Sequence, residues 1–329
     1  MAALTGKALA GQALTGRALA EEVARLAGPG FRADTPLALA VSGGGDSLAL
    51  MALAADAFGS RAHVLSVDHG LRAEAANECA AVAALAASVG LPHTTLQVSV
   101  SPGQGLQAGA RTARYAAMTG WCRAQRIGLL LTAHHADDQA ETLLLRLARG
   151  SGLAGLAGVR ARTELDEVAL LRPLLARRRA ELAAIVGARG WIAADDPSNQ
   201  DPRFDRTQAR RALATLPWLK PERMAAGAAH LAEAEAALAW AARRAFETRS
   251  DWRGASLLLN PEGLPAELRR RLLADGLRAF GHEADGPGLI RLLARLEAGG
   301  SGTLGPAQAK AVAGRWQVKP APARKKQAP

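Results

Sequence analysis

A glycine-rich hexapeptide at residues 42–47 is the part of this chain whose residue types point most directly to chemistry. It reads Ser-Gly-Gly-Gly-Asp-Ser and lies between an apolar run at 37–41 and a second, helix-like apolar run at 48–53. Glycines let backbone N–H groups approach a ligand, and the start of a helix favours negative charge. The pattern therefore predicts a strand, a phosphate-binding loop and a helix; a turn without a ligand is the alternative.

Two common classes of phosphate-binding loop are excluded because the sequence lacks their motifs. G-x-x-x-x-G-K-[ST] does not occur, and G-x-G-x-x-G is missing after this strand. The hexapeptide instead resembles the S-G-G-x-D-S loop of the N-type ATP pyrophosphatases, which cleave ATP between its α- and β-phosphates and adenylate a substrate oxygen. The resemblance implies an ATP-binding set of Ser42, Gly43, Gly44, Gly45, Asp46 and Ser47. Gly45 occupies the variable position, where it offers no side chain to ATP.

The densest ionisable cluster comprises His134, His135, Asp137, Asp138 and Glu141. On a helix, residues three or four apart share a face, so His134 and Glu141 would each lie near Asp138. Hard oxygen ligands suit Mg²⁺ better than zinc. Acids at a helix N-terminus also complement the macrodipole. That explanation covers the two aspartates but neither His134 nor Glu141.

Asp46 is the carboxylate expected beside the phosphates. It could cap the helix, yet a carboxylate beside ATP needs a cation, and Mg²⁺ typically uses one or two carboxylates together with phosphates. We therefore predict a Mg²⁺ site at Asp46 and Asp138. The catalytic candidates are Asp46, His134, Asp138 and Glu141.

Alternating elements must position these residues. Short strands are predicted at 37–41, 62–67, 93–100, 128–132 and 168–171, and helices at 21–27, 47–58, 74–88, 107–126, 138–149 and 177–189. Such alternation predicts an α/β fold with a doubly wound, mainly parallel sheet. Ligands bind such sheets at the carboxyl ends of strands. Polar groups follow three predicted strands, at 42–47, 68–69 and 134–138.

Length and local composition predict two domains. We expect an N-terminal extension at 1–30, a catalytic domain at 31–220, a smaller, mostly helical second domain at 221–320 and a disordered basic tail at 321–329. Helices are predicted at 222–249, 265–280 and 288–296 in the second domain. The segment 217–221, with a proline at each end, is the expected boundary.

Charge and cysteine content limit the partners and the compartment. The net charge of +11 and the pI of about 10.8 suit a polyanion such as nucleic acid, although a coding bias towards arginine would also raise them. The two cysteines form no C-x-x-C motif. This disfavours zinc ribbons and cysteine-held clusters and suits a reducing cytoplasm. No uncharged apolar run reaches the length of a membrane span, so we expect a cytoplasmic protein without a membrane partner.

Further motifs resemble the tRNA(Ile)-lysidine synthetases, and they occur in order between residues 37 and 217. They are Val67-Asp68-His69-Gly70-Leu71-Arg72, Ala113-Arg114-Tyr115, the stretch from Ala133 to Thr142, its continuation from Leu145 to Leu153, Arg172-Pro173-Leu174-Leu175, Asp196-Pro197-Ser198-Asn199, Phe204-Asp205-Arg206 and Arg210-Arg211. The resemblance implies an adenine nucleotide α-hydrolase-like fold. Arg206-Thr207-Gln208 departs from the family's usual Arg-Asn pair. Compared with the members that have a long C-terminal tRNA-binding domain, we expect that domain to be shortened or absent here.

The resemblance also implies a reaction and its partners. ATP would adenylate the C2 oxygen of the wobble cytidine of a CAU-anticodon tRNA(Ile), and free lysine would then displace AMP to leave lysidine. ATP and Mg²⁺ would be required, with Asp138 and Glu141 on the metal or lysine side. Contacts with tRNA or phosphate are expected from Arg114, Arg146, Arg149, Arg206 and Arg210. The oligomeric state is open, with a homodimer as one option.

Three alternatives remain at this point. A related 2-thiocytidine enzyme would use paired cysteines around the core. GMP and NAD synthetases share the loop but not the Asp196–Asn199 string or the basic charge. A non-catalytic RNA-binding relative should have lost Asp46 or the His134–Glu141 cluster, and both are present.

Overall fold

The structure is a computed structural model that describes residues 13–68, 73–98, 106–194, 205–283 and 286–322. Its contacts divide the chain into two compact units, Met1–Ala232 and Glu233–Pro329. The dividing point lies inside a long helix, twelve residues after the predicted boundary at 220 (232 − 220). No described helix is long and apolar enough to span a bilayer.

The first unit contains a six-stranded sheet between helices. Its strands are β1 (Leu37–Ala40), β2 (Ala62–Asp68), β3 (His93–Gln97), β4 (Leu129–Leu131), β5 (Arg162–Leu165) and β6 (Val168–Leu171). Its helices are α1 (Gly16–Ala27), α2 (Gly45–Phe58), α3 (Ala73–Ser88), α4 (Leu106–Ala124), α5 (Ala136–Ala148), α6 (Leu153–Leu156), α7 (Arg179–Ala188) and α8 (Asp205–Ala214), and α9 (Pro221–Arg249) begins here.

The strand order is β3-β2-β1-β4-β6-β5, and every neighbouring pair except β5–β6 is parallel. The chain moves outwards from β1 to β3 and then returns to place β4 on the other side of β1. This reversal confirms the doubly wound sheet. It also creates a crevice between the carboxyl ends of β1 and β4, where open α/β sheets bind ligands.

Apolar residues on both faces of the sheet explain its burial. Along β1, Leu37 and Leu39 join the core cluster of α1 and α2, whereas Ala38 joins the cluster that contains Met118 and Cys122 of α4. Alternate residues of a strand point to opposite faces, so each face of β1 packs against a helical layer. Leucine, alanine and valine supply most of this core.

The antiparallel edge strand β5 was not predicted. It forms a hairpin with β6, and the two connecting residues, Asp166 and Glu167, have φ values of 47° and 67°. Positive φ at both positions is typical of a type I′ turn, whose twist matches that of the paired strands. Neither residue is the glycine or asparagine that usually signals such a turn, which is why the sequence did not indicate it.

Part of the predicted N-terminal extension, from residue 16 onwards, forms a helix that packs into the first unit. Helix α1 begins at Gly16 rather than near residue 21, and the Thr15 hydroxyl accepts a hydrogen bond from the Ala18 N–H. Its residues Leu19 and Val23 are buried in the first core cluster. At Gly16 a Cβ atom would lie 2.7 Å from Cβ of Asp56, so glycine permits the close approach of α1 to α2.

The second unit contains a sheet that the expectation of a mostly helical domain omitted. Helices α10 (Ala266–Arg278) and α11 (Gly286–Glu297) accompany β7 (Ser250–Arg253), β8 (Ser256–Leu259), β9 (Ser301–Leu304), β10 (Ala307–Val312) and β11 (Arg315–Pro320). The strands form an antiparallel sheet in the order β7-β8-β11-β10-β9. Trp316 and Val318 of β11 are buried with period two. Alanines, glutamines and lysines elsewhere in these strands weaken the sequence signal, since they are not strong strand formers.

One buried amide ties α5 to the loop after α6. The Gln139 side chain donates to the Val159 carbonyl and accepts from the Val159 N–H, each at 2.7 Å. Gly158, just before Val159, has φ of 67°, and a Cβ atom there would lie 2.4 Å from Gln139 Oε1. Position 158 therefore requires glycine for two reasons: its φ is positive, and a side chain would collide with the Gln139 amide.

We predict that Gly158→Ala destabilises the chain by about 2–4 kcal/mol, because a left-handed alanine costs about 1 kcal/mol and displacing the buried amide costs about 1–3 more. Gly190→Ala is the matched control, since Gly190 has φ of 64° but nothing within 4 Å of an added Cβ. It should cost only about 1 kcal/mol. Urea unfolding followed by circular dichroism compares them, and equal losses would contradict the role of Gln139.

Candidate active site

The predicted phosphate loop connects β1 to α2. Gly43 has φ of 87°, and Gly44 is the extended N-cap residue of α2. The Ser47 hydroxyl donates to the Gly44 carbonyl at 2.8 Å and accepts from the Ser42 N–H at 3.2 Å. These bonds tighten the loop against the first turn of α2. Its backbone N–H groups and the helix start then form a surface suited to phosphate.

The loop opens into a cavity of about 880 Å³ within the first unit. This is a volume typical of ligand pockets. Polar lining comes from three strand ends and from α2, α3, α4, α5, α7 and α8: Ser42, Gly44, Gly45, Asp46, Ser47, Ser66, Glu78, Arg114, Tyr115, Thr132, His134, Asp138, Arg179, Arg206 and Arg210. The structure therefore brings most of the predicted site residues together at the carboxyl edge of the sheet.

His135 lies at the centre of this edge and is completely buried. As the N-cap residue of α5, it accepts a hydrogen bond from the Asp138 N–H at Nδ1, so Nε2 carries the proton when the ring is neutral. Nε2 lies 3.2 Å from Asp46 Oδ2 and 3.6 Å from Asp138 Oδ2. It is aligned with no hydrogen-bond acceptor among the described residues. One ring thus joins the loop after β1 to the helix after β4.

The Asp46 carboxylate, in the first turn of α2, is held in its ionised form. Burial alone would raise its pKa, but His135 and Arg179 outweigh that effect and hold the pKa below its ordinary value. Its described contacts, with His135 Nε2 at 3.2 Å and with Arg179 at 3.5 Å, all use Oδ2. Asp46 is therefore a charged group beside the loop.

Glu141 is almost completely buried on α5, and two arginines of α8 bind its carboxylate. Arg206 Nε donates to Oε2 at 2.9 Å, and Arg210 Nε donates to Oε1 at 2.7 Å. Arg206 also donates to Asp138 Oδ1 at 2.8 Å, while Asp138 Oδ2 accepts from the His135 N–H. Both acids are therefore engaged by protein donors, which fixes α8 against α5.

This arrangement bears on the predicted Mg²⁺ site. Among the described residues no group of three or more His, Cys, Asp or Glu side chains is placed to hold a metal. Asp46 suits a Mg²⁺ site whose ligands come from both protein and substrate, because Mg²⁺ is commonly held by one or two carboxylates together with substrate phosphates. Asp138 suits it less well, since both of its oxygens already accept hydrogen bonds.

His134 faces the same cavity but differs from its neighbour. Its Nδ1 lies 2.9 Å from the Thr132 hydroxyl. Burial, followed by the charges of Arg172, Arg111, Arg206 and Arg114, lowers the pKa of His134 to about 3. His134 is therefore neutral at pH 7 and able to offer a hydrogen bond without a charge.

The predicted phosphate-contacting arginines separate into two groups. Arg114, Arg206 and Arg210 line the cavity. Arg146 instead donates to the Gly155 carbonyl, and Arg149 forms an ion pair with Asp205. The structure does not place these last two at the cavity, because they bind the ends of the elements that follow α5.

Two residues that contribute to the site were not predicted from the sequence. His135 was quoted within the ionisable cluster but not chosen as a site residue, because its spacing alone did not distinguish it from His134. Arg179 was not named, although it follows two other arginines at the start of α7 and contacts Asp46. Neighbouring Arg178 binds Asp137 at 3.1 Å. A run of three arginines before a helix was the available signal.

Three family-like strings lie outside the described residues in whole or in part. They are Asp196–Asn199, the portion of the second strand's motif after Asp68, and Phe204 of the string Phe204-Asp205-Arg206. Asp68 itself is buried at the end of β2 and accepts a hydrogen bond from Gln97 at 3.1 Å.

The chain is similar to known proteins over most of its length. Residues 17–216 match the family described as a PP-loop domain. It is 46% identical to the tRNA(Ile)-lysidine synthase of Novosphingobium aromaticivorans over 86% of this chain and 88% of that protein. It is 42% identical to the tRNA(Ile)-lysidine synthase of Zymomonas mobilis over 80% of this chain and 82% of that protein.

A solved structure supports the fold. The U34-tRNA thiolase NcsA from Methanococcus maripaludis matches with a TM-score of 0.54 at 15% identity, over 66% of this chain and 79% of that chain. At this identity the likeness concerns architecture alone. The relatives of more than 40% identity extend beyond the PP-loop domain into the second unit, and on that ground the chain belongs to the tRNA(Ile)-lysidine synthase family.

Proposed function

We propose that this chain joins lysine to C2 of the wobble cytidine in a CAU-anticodon tRNA(Ile), using ATP and releasing AMP and pyrophosphate. The observation that carries the proposal is the shared cavity in which the phosphate loop, the Asp46–His135–Asp138 contacts and several arginines meet. This combination suits a reaction that handles ATP and a second polyanion together. Family membership supports the same conclusion.

The first step would activate the cytidine. Attack of its C2 oxygen on the α-phosphate of ATP forms one P–O bond and breaks the bond to pyrophosphate. The loop N–H groups and the start of α2 would hold phosphate oxygens. Asp46 would help to hold Mg²⁺, which would supply positive charge to offset that of the phosphates. Arg179, in contact with Asp46, would keep that carboxylate oriented.

The second step requires a place for lysine, and we infer that a smaller cavity would serve. It has a volume of about 420 Å³, and Arg179 and Arg210 border both cavities. Its walls combine the acids Asp137 and Glu141 with Arg178 and with aliphatic side chains, Leu213, Leu216, Pro217 and Leu219. Lysine has two ammonium groups, a carboxylate and an aliphatic stem, so walls of both charges and apolar surface suit it. Its ε-amine must lose a proton before it displaces AMP at C2.

The chain offers little support for the thiolation alternative. It contains two cysteines, fewer than the four thiolates that usually hold a [4Fe–4S] cluster. Both cysteines are buried and free, and burial raises the pKa of Cys122 to about 12, so that thiol is a poor nucleophile. Free thiols are usual in a reducing cytoplasm, where we propose that the enzyme acts.

Asp46→Asn should lower lysine incorporation into the tRNA by about 100-fold or more, because it removes the charge that supports adenylyl transfer. Incorporation of labelled lysine in the presence of ATP and Mg²⁺ measures this. Asp56→Asn is the matched control on the same helix, since Asp56 forms an exposed pair with Arg189. It should leave the rate within about twofold. Full activity of Asp46→Asn would rule out the proposed site.

Leu219→Trp should raise the KM for lysine by about tenfold, because the larger ring fills part of the smaller cavity. The KM for ATP should stay unchanged. Thr215→Trp adds the same ring at an exposed position outside that cavity's lining and serves as the control. A raised KM for ATP with an unchanged KM for lysine would contradict the assignment.

The rate of lysine transfer should rise between pH 6 and 9, because the free ε-amine has a pKa of about 10.4 and must be deprotonated. His134, with a pKa of about 3, stays neutral throughout this range. His134→Gln should therefore lower the rate without changing the shape of the pH profile. An inflection near pH 6.5 that disappears in His134→Gln would show instead that His134 titrates during the reaction.

A further inference from the structure

Three arginines surround one aromatic ring at the edge of the larger cavity. The guanidinium carbons of Arg111 and Arg114 lie 5.1 and 5.5 Å from the centre of the Tyr115 ring. Arg172, directly after β6, also interacts with Tyr115 and with Arg111. Arg114 and Tyr115 line the cavity together with His134. We call Arg111, Arg114 and Arg172 the arginine cluster.

The arginine cluster carries charge without a described carboxylate partner. Most cavity arginines are paired, as Arg206 and Arg210 are with Glu141. Within the described ranges no ion pair involves Arg111, Arg114 or Arg172. Arg172 is about 6% exposed; its Nη1 donates to the Arg160 carbonyl and the Thr163 hydroxyl, while Nε has no described partner. A buried guanidinium nitrogen without a partner is costly.

Mutual repulsion adds to this cost. Burial lowers the pKa of Arg114 and of Arg172, and the charge of Arg111 lowers both further, while contact with Tyr115 opposes the change. The same positive field acts on neighbouring His134. An anion bound among the three guanidinium groups would relieve the repulsion and satisfy the free donors.

Guanidinium groups bind phosphate oxygens in a two-pronged geometry, which makes a phosphate the fitting anion. The phosphates of ATP already have the loop between β1 and α2. The arginine cluster belongs instead to α4 and to the residue after β6. It surrounds Tyr115, an aromatic side chain of the kind that stacks on nucleotides in RNA-binding sites.

We propose that the arginine cluster binds an RNA phosphodiester next to the nucleotide that reacts. The inference rests on the proposed function and adds to it the place where the substrate backbone is held. By fixing one phosphate near His134, the cluster would position the wobble cytidine between that phosphate and the ATP loop. It is a positioning site and takes no part in bond making.

The test measures binding of the full-length chain to a CAU-anticodon tRNA(Ile) transcript at several salt concentrations. Arg111→Gln and Arg114→Gln should each raise the Kd by about 10-fold or more, as expected for a lost charged hydrogen bond. Each should also reduce the magnitude of the slope of log K against log salt by about 0.7, the value for one single-strand phosphate contact. The KM for ATP should stay within about twofold.

Arg61→Gln is the matched control. Arg61 lies 5.4 Å over the Phe58 ring and is absent from the lining of both cavities. It should leave the Kd and the salt slope unchanged. If Arg114→Gln fails to fold, Arg111→Gln carries the test, because Arg111 is exposed.

Chemical substitution in the RNA locates the contact. A methylphosphonate in place of one phosphate flanking the wobble cytidine removes a charge and should weaken binding to the wild-type chain. The same substitution should add little to the loss already present in Arg111→Gln. The proposal would be overturned if the losses from the methylphosphonate and from Arg111→Gln were additive at both flanking phosphates. It would also be overturned if both arginine variants left the Kd unchanged, or if they raised the KM for ATP without changing tRNA binding.

Failure of the proposed function gives a separate result. A wild-type chain that binds the tRNA but incorporates no lysine would contradict lysine ligation, whatever the arginine variants do. Lysine incorporation by the wild-type chain together with unaffected binding by the variants would contradict the arginine cluster alone.

Discussion

A single buried imidazole connects the two halves of the doubly wound sheet at its functional edge. His135 caps α5 through Nδ1 and approaches Asp46 on α2 through Nε2, so the loop after β1 and the helix after β4 share one ring. Nε2 is aligned with no acceptor among the described residues, so it meets Asp46 as a close approach of ring and carboxylate. The ring lies 3.2 Å from Asp46 Oδ2 and 3.6 Å from Asp138 Oδ2, between the acid beside the phosphate loop and the acid that faces the cavity.

Around this ring the charges are arranged in two ways. On the α8 side, acids and arginines are matched, and Glu141 accepts from both Arg206 and Arg210. On the α4 side, arginines gather around Tyr115 with no described acid. On the α8 side the ion pairs hold the helices together without a ligand. On the α4 side the arginines leave positive charge available to bind an anion. An enzyme that handles a small amino acid and a large polyanion has a use for both.

Much of the first unit could be predicted because its signals are local. Short apolar strands alternating with helices determine the parallel sheet, and glycines followed by an acid mark the loop at residues 42–47. Residues whose role depends on contacts with distant parts of the chain were harder to predict from the sequence. Arg179 reaches Asp46 across 133 residues of chain, and the short helix α8 was not predicted although Arg206 and Arg210 lie on it. The alanine- and lysine-containing strands of the second unit were missed because their pairing, not their composition, stabilises them.

The packing of α1 has a consequence for how this chain can be shortened. Leu19, Val23 and Leu26 cover an apolar surface of the catalytic unit, although they precede the first strand by more than ten residues of sequence. A version that begins at residue 31, where sequence reasoning placed the catalytic domain, would leave that surface open to water. Exposed apolar patches of this kind promote self-association. The segment that looks dispensable in the sequence thus covers an apolar surface of the first unit.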